Sequence, residues 1–119
     1  MTELTPLFIY GTLRRGEDNH RHLEGARFVG PGRTAARYTL VDLVDYPALV
    51  DGGTDAVRGE LYEVDAGHLE RLDAFEEHPT VYVRREIEMD DGTRVFAYLL
   101  PRERAGDAPR IPGADWKER

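Results

Sequence analysis

One segment of this chain, residues 66–77, has the apolar spacing of an amphipathic helix, and the other apolar runs are short. Asp65 stands immediately before this segment and is a good N-cap. Short apolar runs bounded by glycine and proline favour β-strands. A chain with a single substantial helix among several strands is predicted to be α+β, with a mixed, barrel-like sheet and one main amphipathic helix.

The predicted strands follow from the apolar pattern and the turn signals between them. Asp91-Gly92 is a strong type I′ hairpin signal, so the two strands that flank it are expected to be antiparallel. Gly59 interrupts another strand and marks a bulge or a close backbone approach. The chain is expected to break at Tyr46-Pro47 and again at 51–53, which predicts a long loop. The predicted strands are 6–10, 34–43, 57–64, 81–89 and 93–100, with a helical turn at 19–24.

The length of the chain and its lack of internal divisions predict one domain over residues 1–119. A chain of 119 residues is close to the usual size of a single core, and no linker or repeat divides it. Residues 102–119 are expected to form a loosely packed tail, because glycine and proline interrupt them repeatedly. Trp116 is the one large apolar anchor in that tail.

Charge and composition exclude several classes of function. The chain has 16 basic and 23 acidic residues, a net charge of −7, which argues against a nucleic-acid partner. It has no cysteine, so thiolate chemistry and disulfides are excluded. No apolar stretch approaches the roughly 20 residues that span a bilayer, and no basic segment with a long apolar run opens the chain. We therefore expect no membrane association and a cytoplasmic location.

Glu76 occupies an unusual place in the helical pattern. On a helical wheel it falls about 20° from Leu69, inside the apolar stripe that Leu69 forms with Leu72 and Phe75. A buried, unpaired carboxylate has its pKa raised toward neutrality, which suits a general base. In the alternative reading, the helix ends near Phe75 and Glu76 turns to solvent or pairs with an arginine at 84 or 85. The wheel alone does not decide between them.

A glycine-bounded turn, Tyr10-Gly11-Thr12-Leu13-Arg14-Arg15-Gly16, follows the first strand, and we call residues 10–16 the glycine loop. Its backbone N–H groups leave the strand ladder and could face an anion or a developing oxyanion. Gly11 is expected to supply the unusual φ that such a turn needs. Glu17-Asp18 follows in place of the Lys-Ser or Lys-Thr of a P-loop, so a phosphate-binding loop of that kind is excluded. An ordinary structural turn is the alternative.

The glycine loop and the helix end belong to one longer pattern. It comprises Tyr10-Gly11-Thr12-Leu13 with Gly16 and Asn19, then Leu72-Asp73-Ala74-Phe75-Glu76, then Pro79-Thr80-Val81-Tyr82-Val83-Arg84. This pattern resembles the γ-glutamylcyclotransferase-like family, which includes the γ-glutamylamine cyclotransferases and their AIG-like relatives. The resemblance spans about residues 7 to 100, and Gly113-Ala114-Asp115-Trp116 is similar to the Gly-Asp-Trp ending of some members with one residue inserted.

The resemblance implies a partly closed barrel, a loop that binds the glutamyl group largely through backbone amides, and a catalytic glutamate at Glu76. The expected substrate-binding residues are then Tyr10, Gly11, Thr12 and Leu13. The α-amine of a γ-glutamyl amide would attack its own γ-carbonyl and close a five-membered lactam. Glu76 would accept the ammonium proton and return it to the departing amine, which releases 5-oxoproline. Neither a cofactor nor a metal is expected.

Several other residues receive expected roles or open alternatives. Tyr82 could contact the substrate or lie on an ordinary half-exposed sheet face, and Arg84 shares that face as structural support. Asn19 is expected to support the loop structurally. The segment Tyr46-Pro47-Ala48 is expected to anchor a loop that walls the pocket. The histidines at 20, 22, 68 and 78 do not have metal-ligand spacing.

The expected partner is a small γ-glutamyl molecule whose leaving group stays open. A γ-glutamyl amine, a γ-glutamyl-lysine isopeptide, a γ-glutamyl dipeptide and a natural-product intermediate are all compatible, and the pattern is closest to the γ-glutamylamine branch. Two other functions stay open: a non-catalytic small-ligand-binding module of the same fold, and a γ-glutamyl amidohydrolase that uses the same base to activate water. No heptad or strong edge signal indicates an oligomeric state.

Overall fold

The structure is a computed structural model that describes residues 3–118. Within this range, seven strands accompany one main helix, so the predicted α+β class is confirmed. No helix among these residues is long and apolar enough to cross a membrane. The strands are β1 (Thr5–Ile9), β2 (Arg27–Arg33), β3 (Tyr38–Asp42), β4 (Pro47–Asp51), β5 (Arg58–Val64), β6 (Val83–Glu88) and β7 (Arg94–Leu99). The helices are α1 (Ala66–Phe75), the short α2 (Arg102–Ala105), and 3-10 turns at His20–Leu23, Pro112–Ala114 and Trp116–Glu118.

The sheet is mixed and curls into a partly closed barrel. β1 lies between β5, which is antiparallel to it, and β7, which is parallel to it. β2 extends the sheet beyond β5, while β7 pairs with both β4 and β6. The free sides of β2 and β6 meet where Thr34 bridges Met89 and the Asp90 N–H donates to Arg33 O at 2.9 Å. The expected barrel-like sheet is therefore confirmed.

Strand β1 is packed on both of its faces, because successive side chains of a strand point to opposite sides. Phe8 joins one buried cluster with Ala97 of β7 and Ile87 of β6. Leu7 and Ile9 join a second cluster, which includes Leu72 of α1 and Leu23 of the first 3-10 turn. The strand that leads into the glycine loop is thus held from both sides.

Strands β2 and β4 are missing from the sequence-based prediction. The Gly-Pro-Gly run of β2 indicates a turn, but β2 is an edge strand with a register shift between Phe28 and Gly30, where such residues are tolerated. In β4, Pro47 is the first residue of the strand, a position where no ladder N–H is needed. The predicted long loop is wrong there, since residues 47–50 are buried.

Gly59 marks a close approach between strands and not a bulge. A Cβ atom at this position of β5 would lie 2.8 Å from Phe8 Cζ and would also meet Ile9 O. Of the two alternatives that the sequence left open, the structure shows the close backbone approach.

The second half of the C-terminal tail is anchored in the core, so the expectation of a loosely packed tail is wrong there, whereas most of residues 102–110 are exposed. Ile111 and Trp116 are 2% and 4% exposed and belong to the same buried cluster as Phe8. The Trp116 Nε1–H donates to Glu17 Oε1 at 2.8 Å. Arg14, in the glycine loop, forms an ion pair with Asp115 at 2.8 Å. The glycines and prolines of this segment bend it around the sheet without loosening it.

Because Trp116 fills part of the core, Trp116→Ala should lower the free energy of unfolding by about 3–5 kcal/mol through the cavity it leaves. Urea denaturation followed by circular dichroism measures this loss. Leu4→Ala, at a side chain that is 43% exposed, is the control and should change stability by no more than about 0.5 kcal/mol. A loss for Trp116→Ala as small as that of the control would mean that the tail contributes nothing to the core.

Candidate active site

The end of helix α1 determines the direction of Glu76. The helix begins as predicted, with Asp65 accepting the His68 N–H at 2.8 Å, but it ends at Phe75. Glu77 has a left-handed φ of 55°. The Glu77 N–H donates to Ala74 O at 3.2 Å and the His78 N–H donates to Asp73 O at 2.9 Å, which is the Schellman pattern. The chain therefore turns sharply directly after Glu76.

Glu76 is half-buried and lines a cleft of about 390 Å³. Burial raises the pKa of its carboxyl to about 7. No group within residues 3–118 donates a hydrogen bond to this carboxylate or forms an ion pair with it. The first reading is confirmed in the burial of Glu76 and in its raised pKa. The alternative is confirmed only in the helix end at Phe75, since Glu76 neither turns to bulk solvent nor pairs with an arginine. The wheel also misplaced Phe75, which is 38% exposed.

The glycine loop lines the same cleft. Within the described residues, the backbone N–H groups of Gly11, Thr12 and Leu13 donate no hydrogen bond. These three consecutive donors are available to an anion or an oxyanion. The reason for a glycine at position 11 differs from the expected one, because its φ is not left-handed and a Cβ there would lie only 2.7 Å from Pro47 Cγ. The left-handed residue of the loop is Gly16, with φ of 83°.

Side chains behind the glycine loop hold its shape. Asn19 contacts Thr12 twice, through its backbone N–H to Thr12 O and through Nδ2 to Thr12 Oγ1, both at 3.0 Å. His20 Nδ1 lies 2.9 Å from Leu13 O, and since a carbonyl only accepts, this nitrogen carries the proton. Glu60 Oε1 accepts the Arg15 N–H at 3.0 Å. His20 and Glu60 were not predicted, because nothing in the sequence separates them from ordinary polar residues.

The remaining predicted residues divide between the cleft and its surroundings. Tyr10 borders the cleft, but its hydroxyl is occupied, since it donates to Tyr98 O at 2.6 Å. Tyr82 lines the cleft as well, and burial followed by the charge of Glu76 raises the pKa of its hydroxyl. Arg84 does not line the cleft; its guanidinium binds Asp73. The structure thus brings residues 10–13, 19, 76 and 82 to one place and leaves Arg84 behind them.

The charges around the cleft are all of one sign. Asp45 and Glu77 line it with Glu76, and no arginine, lysine or histidine of the described residues does so. An anionic ligand would therefore meet neutral donors only, chiefly the backbone of the glycine loop. Tyr46 and Pro47 line the cleft as expected, but Pro47 begins strand β4 instead of anchoring a loop, and Ala48 does not line the cleft. No group of three or more potential metal ligands forms among residues 3–118.

The chain belongs to the family described as gamma-glutamyl cyclotransferase, AIG2-like, which matches residues 7–118. This confirms the resemblance that the glycine loop and the helix end indicated.

Individual relatives support the same assignment. A Vibrio cholerae protein provisionally named a gamma-glutamylcyclotransferase is 40% identical over 113 residues, 95% of this chain and 96% of that protein. The Homo sapiens gamma-glutamylaminecyclotransferase is 41% identical over 87 residues, 66% of this chain and 57% of that protein. The crystal structure of an AIG2-like protein from Mus musculus has a TM-score of 0.77 at 29% identity, and the match covers 96% of this chain and 95% of that one.

Gly11→Ala should lower the free energy of unfolding by about 1–3 kcal/mol, because the added methyl group would overlap the rigid ring of Pro47. Thermal and urea denaturation measure the change. Gly67→Ala is the matched control, since its Cβ would meet nothing closer than 3.6 Å in helix α1. That control should be neutral or stabilising by up to about 1 kcal/mol. Equal stability of the two variants would contradict the tight contact between Gly11 and Pro47.

Glu76→Gln should stabilise the protein increasingly as the pH rises. Burial raises the pKa of Glu76 to about 7, so the folded protein keeps a proton that the unfolded chain releases near the ordinary glutamate pKa of 4.5. The wild type therefore loses stability as the pH increases through this window, whereas glutamine has no proton to lose. Urea denaturation at several pH values from about 4 to about 8 tests this. A difference between wild type and variant that does not change with pH would show that Glu76 titrates normally.

Proposed function

We propose that this protein is an enzyme that converts a γ-glutamyl amide into 5-oxoproline and a free amine, with Glu76 as the general acid and base. The observation that carries the proposal is the half-buried carboxylate of Glu76, whose pKa burial raises to about 7, in the same cleft as three unpaired backbone donors. A carboxyl with such a pKa can both accept and return a proton near neutral pH.

The proposed reaction needs only proton transfer from the protein. The α-amine of the substrate is an ammonium at neutral pH and must first lose a proton, which Glu76 accepts. The free amine then attacks the γ-carbonyl carbon of the same molecule, so a C–N bond forms within a five-membered ring. The attacking nitrogen still carries one surplus proton in the tetrahedral intermediate. As the original C–N bond breaks, this proton and the proton held by Glu76 both pass to the departing nitrogen, so the ring keeps one N–H and the amine leaves as an ammonium ion. Water is not consumed, and no net proton is taken up or released.

The glycine loop would supply the electrostatic part of catalysis. The N–H groups of Gly11, Thr12 and Leu13 can hold the substrate α-carboxylate or the oxyanion that forms at the γ-carbonyl oxygen. Neutral backbone donors suit this cleft, because a cationic side chain beside Glu76 would favour its ionised form and lower the pKa that proton transfer requires. Tyr82, which lines the same cleft, is the side chain proposed to contact the substrate.

Among γ-glutamyl substrates, we propose the γ-glutamylamine class. The relatives that are named gamma-glutamylaminecyclotransferases, including the human protein at 41% identity, support this choice. The Phe75-Glu76 and Pro79-x-x-Tyr82 pattern agrees with it. A small-molecule substrate fits a cleft of about 390 Å³. The expected cytoplasmic location stays a prediction.

Identification of the product tests the proposed function. The purified protein is incubated with a panel of γ-glutamyl amides whose leaving groups are alkylamines, lysine and α-amino acids, and the products are separated by mass spectrometry. Stoichiometric 5-oxoproline and free amine would support cyclisation. Free glutamate would replace the proposal with hydrolysis, and tight binding of the panel without turnover would replace it with a non-catalytic binding module.

Glu76→Gln should lower kcat by about 10²-fold or more, since glutamine keeps the shape of the side chain but cannot accept a proton. Glu70→Gln, at an exposed position of the same helix, is the matched control and should retain wild-type kcat. For the wild type, kcat/KM should rise as the pH increases through about 7, because Glu76 must be ionised to accept the ammonium proton. Wild-type turnover in Glu76→Gln would remove this residue from the mechanism.

A further inference from the structure

Tyr98, in strand β7, is hydrogen-bonded to both halves of the cleft. Its hydroxyl donates to Asp73 Oδ1 at 2.6 Å, and Asp73 lies on α1 three residues before Glu76. Its backbone oxygen accepts the Tyr10 hydroxyl at 2.6 Å, and Tyr10 is the residue before Gly11. One strand residue therefore connects the helix end that carries Glu76 with the start of the glycine loop.

Asp73 is fully engaged by this contact and by Arg84 of β6. Its Oδ1 also accepts from Arg84 Nε at 2.9 Å, and its Oδ2 accepts from Arg84 Nη2 at 3.1 Å. Burial alone would raise the pKa of Asp73, but the hydrogen bonds from Arg84 and Tyr98 outweigh it and hold this pKa below its usual range. The carboxylate thus stays charged and keeps both oxygens in place.

The turn after Glu76 is tied to the same strand. The Arg84 N–H donates to His78 Nδ1 at 2.9 Å, while the backbone oxygen of Asp73 accepts the His78 N–H at 2.9 Å. Residues on both sides of Glu76 in the chain are therefore fixed to β6 and β7, although the Glu76 carboxylate itself accepts no hydrogen bond within residues 3–118. Its position depends on these neighbours.

We infer that Tyr98 and Asp73, supported by Arg84, are positioning residues that set the separation between the Glu76 carboxylate and the glycine loop. This inference rests on the proposed function for its kinetic consequences. An error of about 1 Å in the placement of a reacting group can lower a rate substantially. Loss of the hydroxyl at position 98 removes one of the contacts that hold the helix end and leaves those of Arg84, whereas the ring and the backbone oxygen that binds Tyr10 remain.

The kinetic test is a double-mutant cycle of Tyr98→Phe and Asp73→Asn, assayed for release of 5-oxoproline well below the melting temperature. Each single variant should lower kcat about tenfold with KM within about twofold, and the double variant should be no worse than either. Should Asp73→Asn fail to fold, Arg84→Lys takes its place, since it keeps the charge but loses the two-point contact. Tyr38→Phe is the control: it removes another buried hydroxyl, which accepts the Glu88 N–H far from the cleft, and should leave kcat unchanged.

Two kinetic results would overturn the inference. Wild-type kcat in Tyr98→Phe, with only the melting temperature lowered, would mean that the hydrogen bond is purely structural. Additive losses in the double variant would mean that Tyr98, which also lines the cleft, acts on the substrate independently of Asp73.

The pKa of Glu76 tests the positioning role of Tyr98 without an activity assay. It is measured by NMR titration of the side-chain ¹³C carboxyl signal of Glu76 in the wild type, Tyr98→Phe and Tyr38→Phe. A loosened helix end admits water, so Tyr98→Phe should lower this pKa from about 7 toward the ordinary glutamate value of 4.5, and Tyr38→Phe should not. An unchanged Glu76 pKa in Tyr98→Phe would overturn the inference, whether or not the protein has the proposed activity. A wild type that releases no 5-oxoproline would instead count only against the proposed function. The other titratable groups that line the cleft are Tyr10, Asp45, Tyr46, Glu77, Tyr82 and Tyr98, and Asp73, His78 and Arg84 lie next to them in the hydrogen-bond network.

Discussion

The desolvation of one carboxylate, that of Glu76, is the constraint around which the rest of the site is arranged. An ionised group held away from water and without a partner opposes folding, so the surrounding structure must be rigid enough to keep it there. The left-handed residue after Glu76 ends the helix, and the contacts of Asp73 and His78 with β6 and β7 prevent that end from relaxing. The raised pKa of Glu76 therefore depends on the residues that hold the helix end as well as on the glutamate itself.

The barrel supplies the other half of the site. β1 is packed on both faces, so the glycine loop leaves the sheet from a fixed point. Beyond that point the loop is held from outside, by Asn19 and His20 on one side and by the tail residue Asp115 on the other. The C-terminal segment, far away in the chain, thus contributes to the same loop. Such long-range support explains how a small protein can keep three backbone donors without partners.

The sequence was informative where a local pattern determines the outcome. The antiparallel hairpin at Asp91-Gly92, the N-cap at Asp65 and the glycine loop are decided by a few neighbouring residues, and each lies where it was predicted. The predicted type I′ turn is wrong, because Gly92 has a left-handed φ of 86° and Asp91 does not. Prediction was incomplete or wrong where tertiary contacts override local preference: strand β2, with its Gly-Pro-Gly run, was not predicted, and the tail that was expected to be loose places Ile111 and Trp116 in the core. Gly11 is a mixed case, since the residue was correctly singled out while its reason, the ring of Pro47, lies in a distant strand. The link through Tyr98 has no local signal, because it is an aromatic residue in an apolar strand.

The main-chain character of the glycine loop has a consequence for the tolerance of this cleft to mutation. A peptide N–H is present whatever side chain the residue carries, so exchanges at Thr12 or Leu13 can alter packing without deleting a donor. Proline is the one coded residue that would remove the hydrogen itself. The side chains at these two positions therefore say little about which ligand the cleft binds. The path of the backbone says more, and contacts with Pro47 and Asn19 determine that path.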